Sequence, residues 1–251
     1  MGKLIYAMMV SLDGFISGPD GELDWHVIDE ELHRHFNDLE SEMEMLLYGR
    51  RLYETMSAYW PMVEQDPSAQ AVEVAYGRIW NAKPKIVFSK TLDNVEWNSR
   101  LSREVIPHEI RGLKTLSRQN LSVGGAELAA TFHRLSLIDE YRLYINPVVA
   151  GRGRPMFLGV DSVAHLRLVE TRPFSSGVVL LRYEAVHEAE SDLPTGLGKP
   201  AERALAVAGY NRLEQFTQVS EKDILNLHGV GPKAVGLLRQ ALAAKGLSFA
   251  E

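Results

Sequence analysis

A chain of 251 residues with 45% hydrophobic and 24% charged residues reads as a soluble globular protein, one large domain or two small ones. It contains no cysteine, which excludes disulfides, thiolate metal sites and cysteine nucleophiles and fits a reducing cytoplasm. The net charge of −6 divides unevenly, −7 over residues 1–190 and +1 over 191–251, so the main body is acidic enough to repel a nucleic-acid backbone. Any phosphate bound there must be met by a local cluster of cations.

The N-terminal run is closed by Asp13 and is too short for a signal peptide, and no stretch approaches the roughly 18 apolar residues of a membrane span. Residues 3–10 (KLIYAMMV) form a continuous apolar run, as for a strand buried on both faces. Turn chemistry brackets Phe15-Ile16, and Leu32, Phe36, Leu39 and Met43 recur at helical spacing from about Asp29. Met45 to Tyr48 reads as a second strand, and Gly49 opens a helix to about Tyr59. A helix over Ala69–Trp80 and strands at Lys85–Phe88 and Asn120–Val123 follow. After Gly124-Gly125 the pattern predicts a helix to about Leu135, a strand over Glu140–Val149, and a hairpin of Leu166–Phe174 with Val178–His187. Strands alternating with helices and closing on an antiparallel pair imply an α/β fold with a mixed, mostly parallel sheet flanked by helices. Residues 1–187 form this domain, 188–199 (rich in Gly, Pro and acidic residues) a linker, and 200–251 a small all-α domain.

Three strand ends run into residues suited to phosphate. Gly49-Arg50-Arg51 combines a glycine turn, a helix N-terminus and two guanidiniums. Ser89-Lys90-Thr91 sets two hydroxyls around a cation, and Gly124-Gly125-Ala126-Glu127 opens a helix with a glycine pair. Ligands of open α/β sheets gather at the carboxyl ends of strands, so three such ends point to one phosphorylated ligand. Each alone also reads as an ordinary turn.

The motifs SLDG (11–14), GRRLYE (49–54), KIVFSKTL (85–92), SVGGAEL (122–128) and NPVVAGRGRPMF (146–157) together resemble the dihydrofolate-reductase-like superfamily, more narrowly the reductase domain of bacterial riboflavin biosynthesis. That resemblance implies NADPH bound along Gly49, Arg50, Arg51, Ser89, Lys90, Thr91, Gly124, Gly125, Ala126 and Glu127, with a homodimer as the assembly. Where such proteins commonly carry Thr, this chain has Leu52.

Hydride transfer requires no protein nucleophile, but a proton source is a separate requirement. Trp25 and Glu30 match the five-residue spacing between pocket tryptophan and carboxylate in dihydrofolate reductases; Asp29, Glu30 and Glu31 read equally as the acidic first turn of a helix. Asp13 is a second catalytic candidate, or an Asx turn. Trp25, Tyr53 and Trp60 are candidates for stacking on a flat substrate, against the alternative of core packing. His33 and His35 are two apart on a helix and make no metal pair, and no metal is expected.

Beyond residue 200 the helical pattern contains Leu227-His228-Gly229-Val230-Gly231-Pro232-Lys233, similar to the turn of helix-hairpin-helix proteins, and the end of the chain resembles the C-terminal domain of the bacterial RNA polymerase α subunit. Contact with DNA, contact with a protein partner, and simple compact packing all stay open for it. The leading functional reading is an NADPH-dependent reductase of a small heterocyclic or nucleotide-like substrate, nearest to 5-amino-6-(5-phosphoribosylamino)uracil reductase. No zinc-deaminase segment of the kind fused to that enzyme in bacteria is seen, so a different substrate is open. The competing reading is an NADPH-binding regulator that presents its helical module to DNA or protein.

Overall fold

In a computed structural model the described residues are 1–160, 163–186 and 191–250, and the chain divides into two compact units, Met1–Val186 and His187–Glu251. The first begins with β1 (Leu4–Val10), whose alternate residues serve two cores: Leu4, Tyr6 and Val10 pack on one face of the sheet, Ile5, Ala7 and Met9 on the other. That double burial is why the run carries no polar alternation. After the short β2 (Phe15–Ser17), α1 (Glu30–Ser41) starts at Asp29, whose side chain accepts the Leu32 N–H at 2.8 Å. There follow β3 (Met43–Gly49), α2 (Arg50–Tyr59), a 3-10 turn (Trp60–Gln65), α3 (Ala71–Ala82), β4 (Lys85–Phe88), β5 (Ser99–Ser102), α4 (Pro107–Leu116), β6 (Asn120–Gly124), α5 (Ala126–Arg134), β7 (Glu140–Ile145), β8 (Arg154–Pro155), β9 (Leu166–Pro173) and β10 (Val179–Ala185).

Eight strands form one sheet in the order β5-β4-β3-β6-β1-β7-β10-β9. The pairs from β5 through β7 are parallel and β10 is antiparallel to both neighbours, which is the expected mixed sheet of the dihydrofolate-reductase-like fold. Three differences from the sequence reading have local causes. β5 and α4 occupy a stretch for which no element is expected; β5 is short, partly exposed and entered through Trp97 and Asn98, both left-handed (φ 59° and 54°). β7 ends at Ile145 rather than Val149, because the buried Asn146 side chain turns the chain by donating to Val10 O and Tyr144 O while accepting from Val27 N at 2.9 Å. The helix expected at Ala69 begins at Ala71, after Glu73 has accepted the Gln70 N–H at 2.7 Å. His187, the expected hairpin end, and Glu188, Ala189 and Glu190 of the expected linker lie outside the described residues.

A charged cluster is centred on Glu140, the first residue of β7, and includes Arg182 of β10. Glu140 is fully buried and binds Arg142 (2.6 Å), Arg182 (2.9 Å) and Lys3 (3.3 Å), so its charge is fully matched.

The second unit comprises α6 (Lys199–Val207), a 3-10 turn (Leu213–Gln218), α7 (Glu221–Leu225) and α8 (Pro232–Ala244) around Leu205, Phe216, Leu238 and Leu242. The stretch 191–199 read as linker belongs to it: Leu197 is in this core, and Asp192 accepts the Leu213 N–H at 2.6 Å and pairs with Lys245. Gly229 has φ +101°, and a Cβ there would stand 2.9 Å from Pro200 O, so that glycine is required by packing of the turn against α6. Among the described residues no helix is long and apolar enough to cross a membrane.

Candidate functional site

The carboxyl ends of β3, β4 and β6 open on one cleft of about 970 Å³, which runs across the edge of the sheet from one face to the other. All ten residues singled out at the strand ends line it: Gly49, Arg50, Arg51, Ser89, Lys90, Thr91, Gly124, Gly125, Ala126 and Glu127. Parallel pairing causes this convergence, because β3 lies between β4 and β6 with Gly49 opposite Phe88 and Tyr48 opposite Gly124.

Neither α2 nor α5 has a side-chain cap at its N-terminus, so the cleft faces two helix starts with N–H groups free of such partners. Gly125 holds φ +99°, a conformation that L side chains rarely adopt. Gly124 is needed for a different reason: a Cβ there would stand 2.3 Å from Leu52 Cδ2 and 3.1 Å from the Tyr48 ring. The residue that departs from the family pattern thus fills the space above this glycine.

The cations are pre-arranged by carboxylates. Glu127 accepts from Arg51 and from Arg154, each at 2.7 Å, which holds the two guanidiniums side by side. Burial works against ionisation of Glu127, and the Arg154 and Arg51 charges outweigh it, keeping its carboxyl below the ordinary range. Arg50 pairs with Glu54 one helical turn on, at 3.0 Å. Arg103 donates to Ser89 O (3.1 Å) and Leu92 O (2.6 Å), fixing the loop that carries Lys90. Arg154 and Arg103 were not anticipated; Arg154 lies in the last of the sequence motifs, but only pairing of β8 with β2 brings it to the cleft.

On the other face of the sheet the cleft deepens into a chamber walled by Phe36, Met43, Met56, Trp60, Tyr76 and Tyr144. Of the aromatic candidates, Trp60 is in this wall, 4.3 Å from Tyr76 between ring centres. Tyr53 and Trp25 are not in it. The Tyr53 hydroxyl accepts Glu96 N–H at 2.8 Å and donates to Glu96 O, holding the loop before β5. Trp25 stands edge-on to His26, ring centres 4.3 Å apart.

The two candidate acids also lie outside the cleft wall. Glu30 is exposed in the first turn of α1 and pairs with Arg34, so the reading as an acidic helix start describes it. Asp13 accepts from Ser11 Oγ (2.7 Å), Ala150 N (3.0 Å) and Gly151 N (2.7 Å); these bonds hold its carboxyl at about 2 and tie the first turn to the loop after β7.

A carboxyl that sequence reasoning did not select does line the chamber. Glu40, 8% exposed, receives the Tyr48 hydroxyl at 3.4 Å. Burial pushes it up to about 7, only partly offset by Tyr48, Lys83, Lys85 and Tyr76. The signal was present: Glu40 falls four and eight residues after Phe36 and Leu32, on the apolar face of α1.

Residues 2–180 match the RibD C-terminal domain family. The uncharacterized protein YyaP of Bacillus subtilis (strain 168) is 37% identical over 182 residues, 72% of this chain and 94% of its own length. Among solved structures, a Shewanella sp. PV-4 protein whose name assigns it provisionally to riboflavin biosynthesis superposes with a TM-score of 0.58 at 20% identity, covering 74% of this chain and 99% of that one. Dihydrofolate reductase from Enterococcus faecalis, solved with NADP(H) and RAB-propyl, superposes with a TM-score of 0.51 at 16% identity, over 74% and 98% of the two chains.

Proposed function

We propose that this chain, which belongs to the RibD C-terminal domain family, is an NADPH-dependent reductase of a small heterocyclic substrate. The observation that carries the reading is the continuity of one cleft, with five cationic side chains and two uncapped helix starts at one end and an aromatic chamber at the other. The donor set fits a dinucleotide phosphate. Gly125 leaves the backbone open at the start of α5, Arg51 and Arg154 present a paired guanidinium surface for an anion, and Ser89, Lys90 and Thr91 line the same groove.

In this reading Arg50, Arg51 and Arg154 hold the phosphates, Ser89 and Lys90 the adenosine end, and Gly124 and Gly125 the pyrophosphate. The cofactor, when bound, supplies the hydride. The chain's own residues bind and orient the reactants and exclude water, since the chamber walls are apolar and the strand ends are closed beneath by the two cores. The nearest named reaction is the reduction of 5-amino-6-(5-phosphoribosylamino)uracil.

The test is a titration of the full chain with NADPH, followed by fluorescence transfer from tryptophan to the nicotinamide ring, with turnover of candidate heterocycles as the second step. Saturable micromolar binding is expected; absence of binding up to millimolar NADPH refutes the reading.

A further inference from the structure

The chamber has a chemistry distinct from the rest of the cleft. Every cationic lysine or arginine in the cleft wall, Arg50, Arg51, Lys90, Arg103 and Arg154, belongs to the strand-end half. The half under α1 and α3 contains none. Its accessible walls are Phe36, Trp60 and Tyr76 with the thioether of Met56, surfaces that suit the faces of a flat, polarisable ring, while Met43 and Tyr144 are fully buried behind them. The one carboxylic acid in this half is Glu40.

The surroundings of Glu40 are built from three elements. Tyr48 donates to it from β3 at 3.4 Å, and Tyr76 on α3 is near enough to act on its ionisation. Two lysines are close enough to act on it, but their ammonium groups are engaged elsewhere. Lys83 Nζ donates to Ser41 O and Met43 O, and Lys85 Nζ to Lys83 O and Trp97 O at 2.8 Å each. Lys85 is further held over the Trp80 ring at 4.0 Å. Among the described residues Glu40 makes no ion-pair contact. Burial pushes this carboxyl up to about 7, so its neutral form is well populated near neutral pH, and that form offers one O–H donor and one C=O acceptor side by side. His33 adds a ring to the same wall, edge-on to Trp60 and Tyr76.

We propose that this chamber binds a flat heteroaromatic substrate carrying no phosphate, with a polar edge of its ring held by the Glu40 carboxyl and the Tyr48 and Tyr76 hydroxyls. The proposal rests on the reductase reading only in assigning the arginine half of the cleft to the cofactor. A phosphate in the chamber would be desolvated with no lysine or arginine to pair with it. A ring with adjacent carbonyl and N–H groups meets a matching donor and acceptor instead. A phosphoribosyl pyrimidine would have to carry its phosphate outside this chamber, so a ring without one is the better match to it.

The probe is lumazine, a fluorescent bicyclic heteroaromatic with such an edge, titrated into the full chain with and without saturating NADPH. Competitors are a lumazine riboside and its 5′-phosphate. The expected result is saturable lumazine binding, and displacement by the phosphate no better than by the riboside. Glu40→Leu should weaken lumazine at least tenfold, Glu40→Gln less than threefold, since the amide keeps a donor and an acceptor. Tyr76→Phe, a smaller perturbation, should weaken it about threefold. All three variants should keep the wild-type NADPH affinity. No saturable lumazine binding, tenfold better displacement by the phosphate, or unchanged lumazine affinity in folded Glu40→Leu or Tyr76→Phe each overturns the proposal. A chain that binds lumazine but not NADPH sinks the cofactor assignment and leaves the chamber assignment standing.

Discussion

Replacing Glu40 by glutamine ought to flatten the dependence of stability on pH. The carboxyl titrates at about 7 in the folded chain because of burial, against an ordinary value of 4.5. The folded state therefore holds this proton more tightly than the unfolded state does. The contribution is full below pH 4.5, falls as pH rises toward 7, and is constant above. The separation of the two values, at about 1.4 kcal/mol per pH unit, is worth about 3 kcal/mol in all, of which about 2 kcal/mol falls between pH 5 and 7.5. Solvent screening takes little from this figure, since Glu40 is only 8% exposed. For a unit of this size about 2 kcal/mol corresponds to roughly 4–8 °C in melting temperature. The assay is thermal or urea unfolding of wild type and Glu40→Gln at pH 5 and 7.5. Other titrating groups, Glu140 among them, move both proteins alike and cancel in the difference. The variant should gain on wild type by about 2 kcal/mol between the two pH values. Parallel pH profiles would refute the reasoning, and with it the idea that this carboxyl is buried without a compensating cation.

Four further outcomes are expected. NADPH should bind at least about tenfold more tightly than NADH, a charge-assisted contact being worth about 1.5–3 kcal/mol, and Arg50→Ala with Arg51→Ala should erase the preference; equal affinities in the wild-type chain would contradict it. Glu140→Ala should cost about 3–5 kcal/mol in urea unfolding, because Arg142 and Arg182 lose their partner; a loss below about 1 kcal/mol would show the cluster to be solvated. Residues 1–190 alone should fold and bind NADPH within twofold of the full chain, and insolubility or lost binding would show that the cut divides a cooperative unit. The exposed edge strand β9, with Leu168 51% and Val169 39% accessible, should pair with a second copy, so light scattering at micromolar concentration should give the mass of two chains rather than one.

What the sequence by itself determined is local or periodic in origin. The two-faced burial of β1 is written in an unbroken apolar run, the start of α1 in Asp29, and the phosphate-friendly turns in Gly49 and in Gly124-Gly125. These follow from φ/ψ preference and from the periods of strand and helix, which act over a few residues. The same locality bears on the two candidate acids. Glu30 and Asp13 stand at positions that invite a catalytic reading, and the structure places them outside the cleft wall, bound to Arg34 on the next turn and to the amides of Ala150 and Gly151 across the fold. Tertiary structure decided everything that depends on partners distant in the chain. Arg51 and Glu127 are 76 residues apart, and Glu127 and Arg154 are 27 apart, so their alignment exists only once β3 lies beside β6 and β8 beside β2. Glu40 carries no mark in the sequence beyond its place on an apolar helical face. Its burial against Tyr48 and Tyr76, while the neighbouring lysines are spent on backbone carbonyls, results from packing α1, β3 and α3 together, and electrostatic environment is a property of that packing rather than of residue order.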